Sequence, residues 1–348
     1  MKINATIVLA AVSTLALTAC GGSGGSSGGA RDYIHAVGSS TVYPFATAVA
    51  EAYAKAGGGK SPVIESTGTG AGMKLFCGGV GASFPDVENA SRRIKKSEFE
   101  DCQKNGVKEI VEVQVGIDGI AFAEAKTGPG FKLTPVDIYK ALAANPFGKP
   151  NTAKTWADVN PSLPAEPILV YGPPSTSGTR DALKELILEA GCKTDPAMEA
   201  LKKSDEDKYK ATCQDIREDG PYVDAGENDN LIVQKISQNP KAIGVFGYSF
   251  LESNPDSLIG IPLNNVVPTY ASISDFSYPG ARPLYIYVKK QHLGPIKGLQ
   301  DYVNEWAKAW GPTGYLKAKG MVIAPADVQA KSAEIVKSMT ALDPSTLK

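Results

Sequence analysis

Histidine is almost absent from this chain, whose 348 residues include two, His35 and His292. A serine hydrolase needs a histidine base beside its nucleophile, and neither histidine lies in a catalytic signature. The stretch GGSGG at residues 21–25 matches the G-x-S-x-G nucleophile pattern in letters only, because no strand or helix pattern surrounds it. We therefore expect binding without catalytic turnover, and not an enzyme.

Patterns for metals, nucleotides and nucleic acids are also missing. The chain has no C-x-x-C pair to build a zinc site. Residues 68–74 and 172–179 lack the adjacent Gly-Lys pair of a Walker A loop. The 36 basic and 37 acidic residues leave a net charge of −1, which argues against a nucleic-acid partner. We expect no metal and no cofactor, and a small solute as ligand.

The one long apolar run stands at the start of the chain. Lys2 precedes the apolar residues 7–17, and the lipobox LTAC at residues 17–20 follows. The run is too short for a dedicated membrane span. We predict a signal peptide over residues 1–19, lipid attachment at Cys20 and a flexible Gly/Ser tether over residues 20–30. This pattern places the protein in the periplasm or at the cell surface, attached to a membrane through Cys20 alone.

An exported protein meets an oxidising compartment, where cysteines pair. Four cysteines remain besides Cys20. We predict the disulfides Cys77–Cys102 and Cys192–Cys213 because each pair encloses a short local loop, although two other pairings are arithmetically open.

The run PSTSGTR at residues 174–180 places hydroxyl groups, a glycine and an arginine where a helix is predicted to begin. Leu183, Leu186, Ile187 and Ala190 follow with helical spacing, and Gly191 ends the run. The first N–H groups of a helix lack partners and its N-terminal end is positive, so this position favours an anion. An ordinary Ser/Thr cap is the alternative.

Similar runs occur elsewhere in the chain. GSSTVYP at residues 38–44 and TGTGAG at residues 67–72 also precede predicted helices, and each of the three follows a short β-like run. A fourth polar segment, residues 89–96, contains Ser91 and Arg92, and an arginine can bind phosphate-type oxygens in a bidentate fork. Because α/β sheets place ligands at the carboxyl ends of strands, these loops predict a shared anion site.

Strand-like and amphipathic segments alternate from Arg31 onwards, which predicts an α/β fold. Two extended stretches, residues 111–120 and 282–288, have the character of crossings between two lobes. Trp306 and Trp310 lie on the apolar face of a predicted helix, and we expect them in the core.

Together these motifs resemble the phosphate-binding lipoprotein of bacterial phosphate ABC transporters, a type II periplasmic binding protein. The resemblance runs from Tyr33 to the C-terminal region. It implies two α/β lobes joined by two hinge strands, with inorganic phosphate held in the cleft and passed to ABC permease subunits in the inner membrane by a monomer. Lobe 1 would hold residues 31–117 and 281–348, and lobe 2 residues 118–280. The implied phosphate ligands are Ser39, Ser40, Thr41, Thr69, Ser91, Arg92, Ser177, Gly178, Thr179 and Arg180.

The chain departs from one branch of that family at two positions. That branch has aspartate where Arg92 stands, to accept the proton of hydrogen phosphate, and arginine where Pro173 stands. Candidates for the proton acceptor here are Asp118, Glu227 and Asp229. A receptor for sulfate or molybdate is the alternative reading, and a secreted phosphatase is a more distant one.

Overall fold

A computed structural model describes residues 31–226 and 228–347 of the chain. The predicted signal peptide, Cys20, the tether and Glu227 lie outside the described residues.

Strands and helices alternate through most of the described chain, so the predicted α/β class is confirmed. The strands are β1 (His35–Gly38), β2 (Val63–Ser66), β3 (Val87–Ala90), β4 (Ile110–Ala125), β5 (Val170–Gly172), β6 (Tyr222–Asp224), β7 (Ile243–Gly247), β8 (Leu258–Gly260) and β9 (Ala281–Lys289). The α-helices are α1 (Tyr43–Lys55), α2 (Thr69–Phe76), α3 (Lys96–Lys104), α4 (Pro135–Leu142), α5 (Trp156–Val159), α6 (Gly178–Ala182), α7 (Glu189–Cys192), α8 (Pro196–Ser204), α9 (Glu206–Cys213), α10 (Asp229–Gln238), α11 (Tyr248–Glu252), α12 (Tyr270–Ser274), α13 (Leu299–Ala309) and α14 (Ala326–Ser338).

The described strands form one curled sheet in the order β2-β1-β3-β9-β4-β7-β5-β6, with β8 pairing to β4. On one side β1 lies parallel to β2 and β3, and on the other β5 lies parallel to β6 and β7. Parallel strands with short polar loops at their carboxyl ends favour ligand binding at that edge.

The two predicted crossings lie side by side. Strand β4 pairs antiparallel with β9 from Ile110 opposite Lys289 to Gly119 opposite Ala281, with a register shift between Gln114 and Gly116. The far end of β4 then pairs with β7 and β8. A long strand that belongs to both halves of the sheet makes β4, with β9 beside it, the physical link between two lobes.

Buried apolar side chains form separate clusters on the two sides of this link. The large cluster takes its members from residues 117–278, with Val322 in addition. Two other clusters take theirs from residues 34–115 and 284–347. Trp306 and Trp310 are buried in one of these, as predicted.

Both predicted disulfides are present, joining Cys77 to Cys102 and Cys192 to Cys213. The helix predicted after Ser177 is also present, but it is interrupted. Residues Leu183–Leu188 form a π-helical segment between α6 and α7. Within the described residues, no helix combines the length and the apolar character that crossing a bilayer requires.

Candidate functional site

The loop after β1 and the start of α6 touch directly. The Thr41 hydroxyl donates to the carbonyl oxygen of Gly178 at 3.0 Å. A Cβ atom at Gly178 would lie 2.3 Å from the backbone nitrogen of Thr41, so only glycine permits this approach. The contact joins residues 137 positions apart in the chain, and it brings two of the predicted anion loops together.

Arg282, at the start of β9, lies beneath this contact and is 3% exposed. Its Nη2 donates to the Thr41 hydroxyl and to the Gly178 carbonyl oxygen. Its Nε donates to Asp118 at 3.2 Å and its Nη1 to Glu185 at 2.8 Å. One buried guanidinium therefore connects both strands of the link to both anion loops.

A second hydrogen bond crosses between the same loops. The Ser40 hydroxyl donates to Asp181 at 2.7 Å. Ser177 is the N-cap of α6, where its hydroxyl accepts from the backbone N–H of Thr179 at 3.2 Å. Ser177 is therefore a helix cap, which was the alternative interpretation of this run, and it also lines a cavity at the contact.

That cavity measures about 550 Å³ and lies between the two loops. Its polar lining includes the predicted residues Ser40, Thr41, Asp118, Ser177, Gly178, Thr179 and Asp229. Lys319 contributes a cation at its wall. The hydroxyl groups and the lysine can donate to an oxyanion, while the carboxylates of Asp118 and Asp229 can accept a proton that the ion carries.

Ser91 and Arg92 line a second cavity, of about 590 Å³, together with Arg282. The hydroxyls of Thr69 and Ser91 lie 3.1 Å apart, and the Ser91 N–H donates to the Thr69 hydroxyl. Most of the predicted residues therefore fall into two groups with Arg282 between them, whereas Ser39 and Arg180 line neither cavity.

The predicted arginines have other partners. Arg92 forms a two-pronged ion pair with Glu98, at 2.9 and 2.7 Å. The guanidinium carbon of Arg180 lies 3.9 Å from the ring centre of Tyr222, and its Nη1 donates to the carbonyl oxygen of Pro173. Burial raises the pKa of Tyr222 to about 12, and its hydroxyl donates to the carbonyl oxygen of Pro173 at 2.7 Å.

Two of the three proton-acceptor candidates lie at the first cavity. Burial raises the pKa of Asp118, and the charge of Arg282 opposes that shift. Asp229 opens α10, and its Oδ2 accepts from the backbone N–H of Gly247 at 3.3 Å.

Comparisons with known proteins identify the family of this chain. A sequence profile described as a PBP superfamily domain matches residues 24–311. Protein SphX of Synechococcus elongatus is 34% identical over 316 residues, which cover 88% of this chain and 82% of SphX. The phosphate-binding protein PstS of Staphylococcus saprophyticus is 31% identical, with 84% and 81% covered. The chain belongs to the periplasmic phosphate-binding protein family.

Solved structures of similar proteins share the fold of this chain. A possible phosphate-binding protein from Planctomyces limnophilus superposes with a TM-score of 0.70 at 26% identity, and 88% of this chain and 98% of that chain are covered. A putative phosphate ABC transporter substrate-binding protein from Clostridium perfringens, solved with bound phosphate, gives a TM-score of 0.52 at 22% identity, with 84% and 99% covered.

Sequence reasoning placed Arg282 in a link strand and gave it no role at the site. The signal that could have found it is the charge itself, because an arginine beside the apolar run LYIYV at residues 284–288 needs a buried partner. The described residues contain no group of three or more histidine, cysteine, aspartate or glutamate side chains that could hold a metal ion.

Proposed function

We propose that this chain is the receptor of a bacterial phosphate importer, which captures inorganic phosphate between its lobes and delivers it to ABC permease subunits as a monomer. Lobe 1 comprises residues 31–117 and 281–348, and lobe 2 residues 118–280. The observation that carries the proposal is the contact of Thr41, Gly178 and buried Arg282. Three segments from the two lobes meet at one guanidinium and a group of hydroxyls.

A dehydrated phosphate needs donors that replace its hydration shell. The proposed donors are the hydroxyls and N–H groups of the loops at Ser39–Thr41, Thr69, Ser91 and Ser177–Thr179, with Arg92, Arg180 and Arg282 as cations. Closure of the lobes would bring them to the ion and exclude water from it. The relatives of this chain carry the names of phosphate-binding proteins, which favours a receptor over a phosphatase.

Selectivity depends on an acceptor for the proton of hydrogen phosphate. Asp118 is the favoured candidate because it is largely buried, lines the first cavity and has a pKa raised by burial. Sulfate carries no proton at neutral pH and would be repelled by its carboxylate.

Calorimetric titration of the chain from residue 21 onwards tests this function with phosphate, sulfate and molybdate. We expect one phosphate per chain with micromolar or tighter affinity. Thr41→Val should weaken binding because it removes the hydroxyl at the contact. Thr47→Val on α1 is the matched control, since the Thr47 hydroxyl bonds only within its own helix, to the carbonyl oxygen of Tyr43. Absence of phosphate binding by the parent chain, or tighter binding of sulfate or molybdate, would overturn the proposal.

We also propose that lipid at Cys20 attaches the receptor to a membrane, on the support of the lipobox at residues 17–20. Cys20→Ser should move the protein from the membrane fraction to the soluble fraction of the cell. Retention of the variant in the membrane fraction would contradict this attachment.

A further inference from the structure

Glu88 plays no part in the site described above, yet it lies directly behind two of its loops. It stands on β3 and is 0% exposed. Neither carboxylate oxygen has a hydrogen-bond partner among the described residues. A buried carboxyl group without a donor is costly to keep ionised, so the position calls for an explanation.

The carboxyl group is wedged between Gly38 and Gly72. A Cβ atom at Gly72 would lie 2.3 Å from its Oε2, and one at Gly38 would lie 2.7 Å from its Oε1. Gly38 directly precedes the loop at Ser39–Thr41, and Gly72 lies in the first turn of α2, which begins at Thr69. The two glycines leave room for the carboxyl group at the base of both loops.

The charged groups around Glu88 do not neutralise it. Arg92 lowers the pKa of the Glu88 carboxyl and Glu98 raises it, and these two residues are already paired with each other. Strand β9 places Tyr287 opposite Glu88, while the one charged side chain of α2, Lys74, is exposed. Burial dominates and raises the pKa of Glu88 well above its ordinary value of 4.5.

We propose that Glu88 is a positioning residue, and that phosphate binds only while its carboxyl group is uncharged. The proposal rests on the proposed phosphate-binding function. An ionised Glu88 would place a negative charge behind two loops that are to receive an anion, and the N–H groups of those loops would be drawn towards it. A neutral carboxyl group leaves them directed at the ligand.

The test compares the parent protein with Glu88→Gln, which has the same shape and no charge. Phosphate dissociation constants are measured by calorimetry between about pH 5 and about pH 9. The ratio of the two constants cancels the titration of phosphate itself. We expect the two dissociation constants to be nearly equal at low pH. Above the pKa of Glu88, the parent should lose affinity relative to the variant, and this loss should approach about tenfold per pH unit. Glu65→Gln is the control, because Glu65 lies on the neighbouring strand β2 with its side chain 51% exposed.

A parent-to-variant ratio that stays constant over the whole range would overturn the role of Glu88. Failure of the parent to bind phosphate at any pH would instead overturn the proposed function. Thermal unfolding without phosphate gives a second readout. The unfolded carboxyl group ionises near pH 4.5 while the folded one stays protonated, so the parent should lose stability relative to Glu88→Gln as pH rises above that value. The proposal would also be contradicted if both Glu88→Gln and Glu88→Leu were less stable than the parent at every pH.

Discussion

A buried polar cluster lies near each end of strand β9, and the two clusters differ in their surroundings. At its start, Arg282 contacts Asp118, Glu185 and the loop residues Thr41 and Gly178. Just past its end, His292 and the carboxylate of Asp86 form a second buried cluster. The Arg282 cluster joins segments of both lobes, whereas the Asp86 cluster lies within one.

Both oxygens of the Asp86 carboxylate accept hydrogen bonds, whereas Nη1 of Arg31 has no partner among the described residues. The Asp86 carboxylate accepts from Arg31 at 2.9 Å, from the backbone N–H of His35 at 2.8 Å and from Nδ1 of His292 at 2.6 Å. Nε2 of His292 accepts from the N–H of Gly81, so this imidazole carries its proton on Nδ1. The cluster thereby attaches the segment around Gly81 to the sheet.

The comparison separates two uses of buried charge. Around Arg282 the partners are the carboxylates of Asp118 and Glu185 and two groups of the anion loops, so we expect its charge to act at the proposed site. Around Asp86 the partners come from a single lobe, so its charge serves stability. Exchanging arginine for alanine in each cluster should therefore change different properties of the protein.

The largest expected effect is on binding. Arg282→Ala removes the buried cation that contacts both anion loops, and it should weaken phosphate binding by about 2 to 5 kcal/mol. Calorimetric titration at fixed ionic strength measures the loss. Arg31→Ala is the control, since it removes a partly buried arginine from the Asp86 cluster and should leave the affinity of the folded protein unchanged. Equal affinities for the parent and Arg282→Ala would erase the distinction between the clusters.

Asp86→Asn should act on stability. It leaves Arg31 without its carboxylate and the protonated Nδ1 of His292 facing a neutral amide, which should lower the free energy of unfolding by about 3 kcal/mol. Denaturant unfolding at neutral pH gives the value, and phosphate affinity of the folded variant should match the parent. A variant as stable as the parent but weaker in binding would reverse the assignment of the two clusters.

Lys289, also near the Asp86 cluster, should give the smallest effect. Burial lowers the pKa of its ammonium group to about 7, and the Nζ donates to the carbonyl oxygen of Gly79 at 2.6 Å beside Phe76 and Phe84. Below about pH 7 the amine is charged in the folded and unfolded states, so the burial cost is fully present. Between about pH 7 and the ordinary value of 10.5 the folded state holds fewer protons, and stability rises with pH.

Lys289→Met should remove that cost. We expect the variant to be more stable than the parent by about 2 kcal/mol below pH 7, because a methionine packs between the two aromatic rings without charge. The difference should shrink as pH rises towards 10.5. Unfolding curves at several pH values measure it, and a difference that does not vary with pH would show that the ammonium group is not destabilised by burial.

Most of the fold could be predicted from patterns among residues that are close together in the sequence. The α/β class, the two link strands, the buried Trp306 and Trp310 and both disulfides follow from periodicity, turn residues and short cysteine spacing. The π-helical segment at Leu183–Leu188 was not predictable in this way, since apolar spacing over two turns does not distinguish it from an α-helix.

The sequence by itself determined which loops carry hydroxyl groups and where strands and helices alternate, because these depend on residues close together in the chain. Only the tertiary structure decided that Thr41 meets Gly178, that Arg92 is paired with Glu98, and that Arg282 and Glu88 lie against the anion loops. The physical reason is that burial and charge pairing depend on partners far away in sequence, which periodicity within one segment does not record.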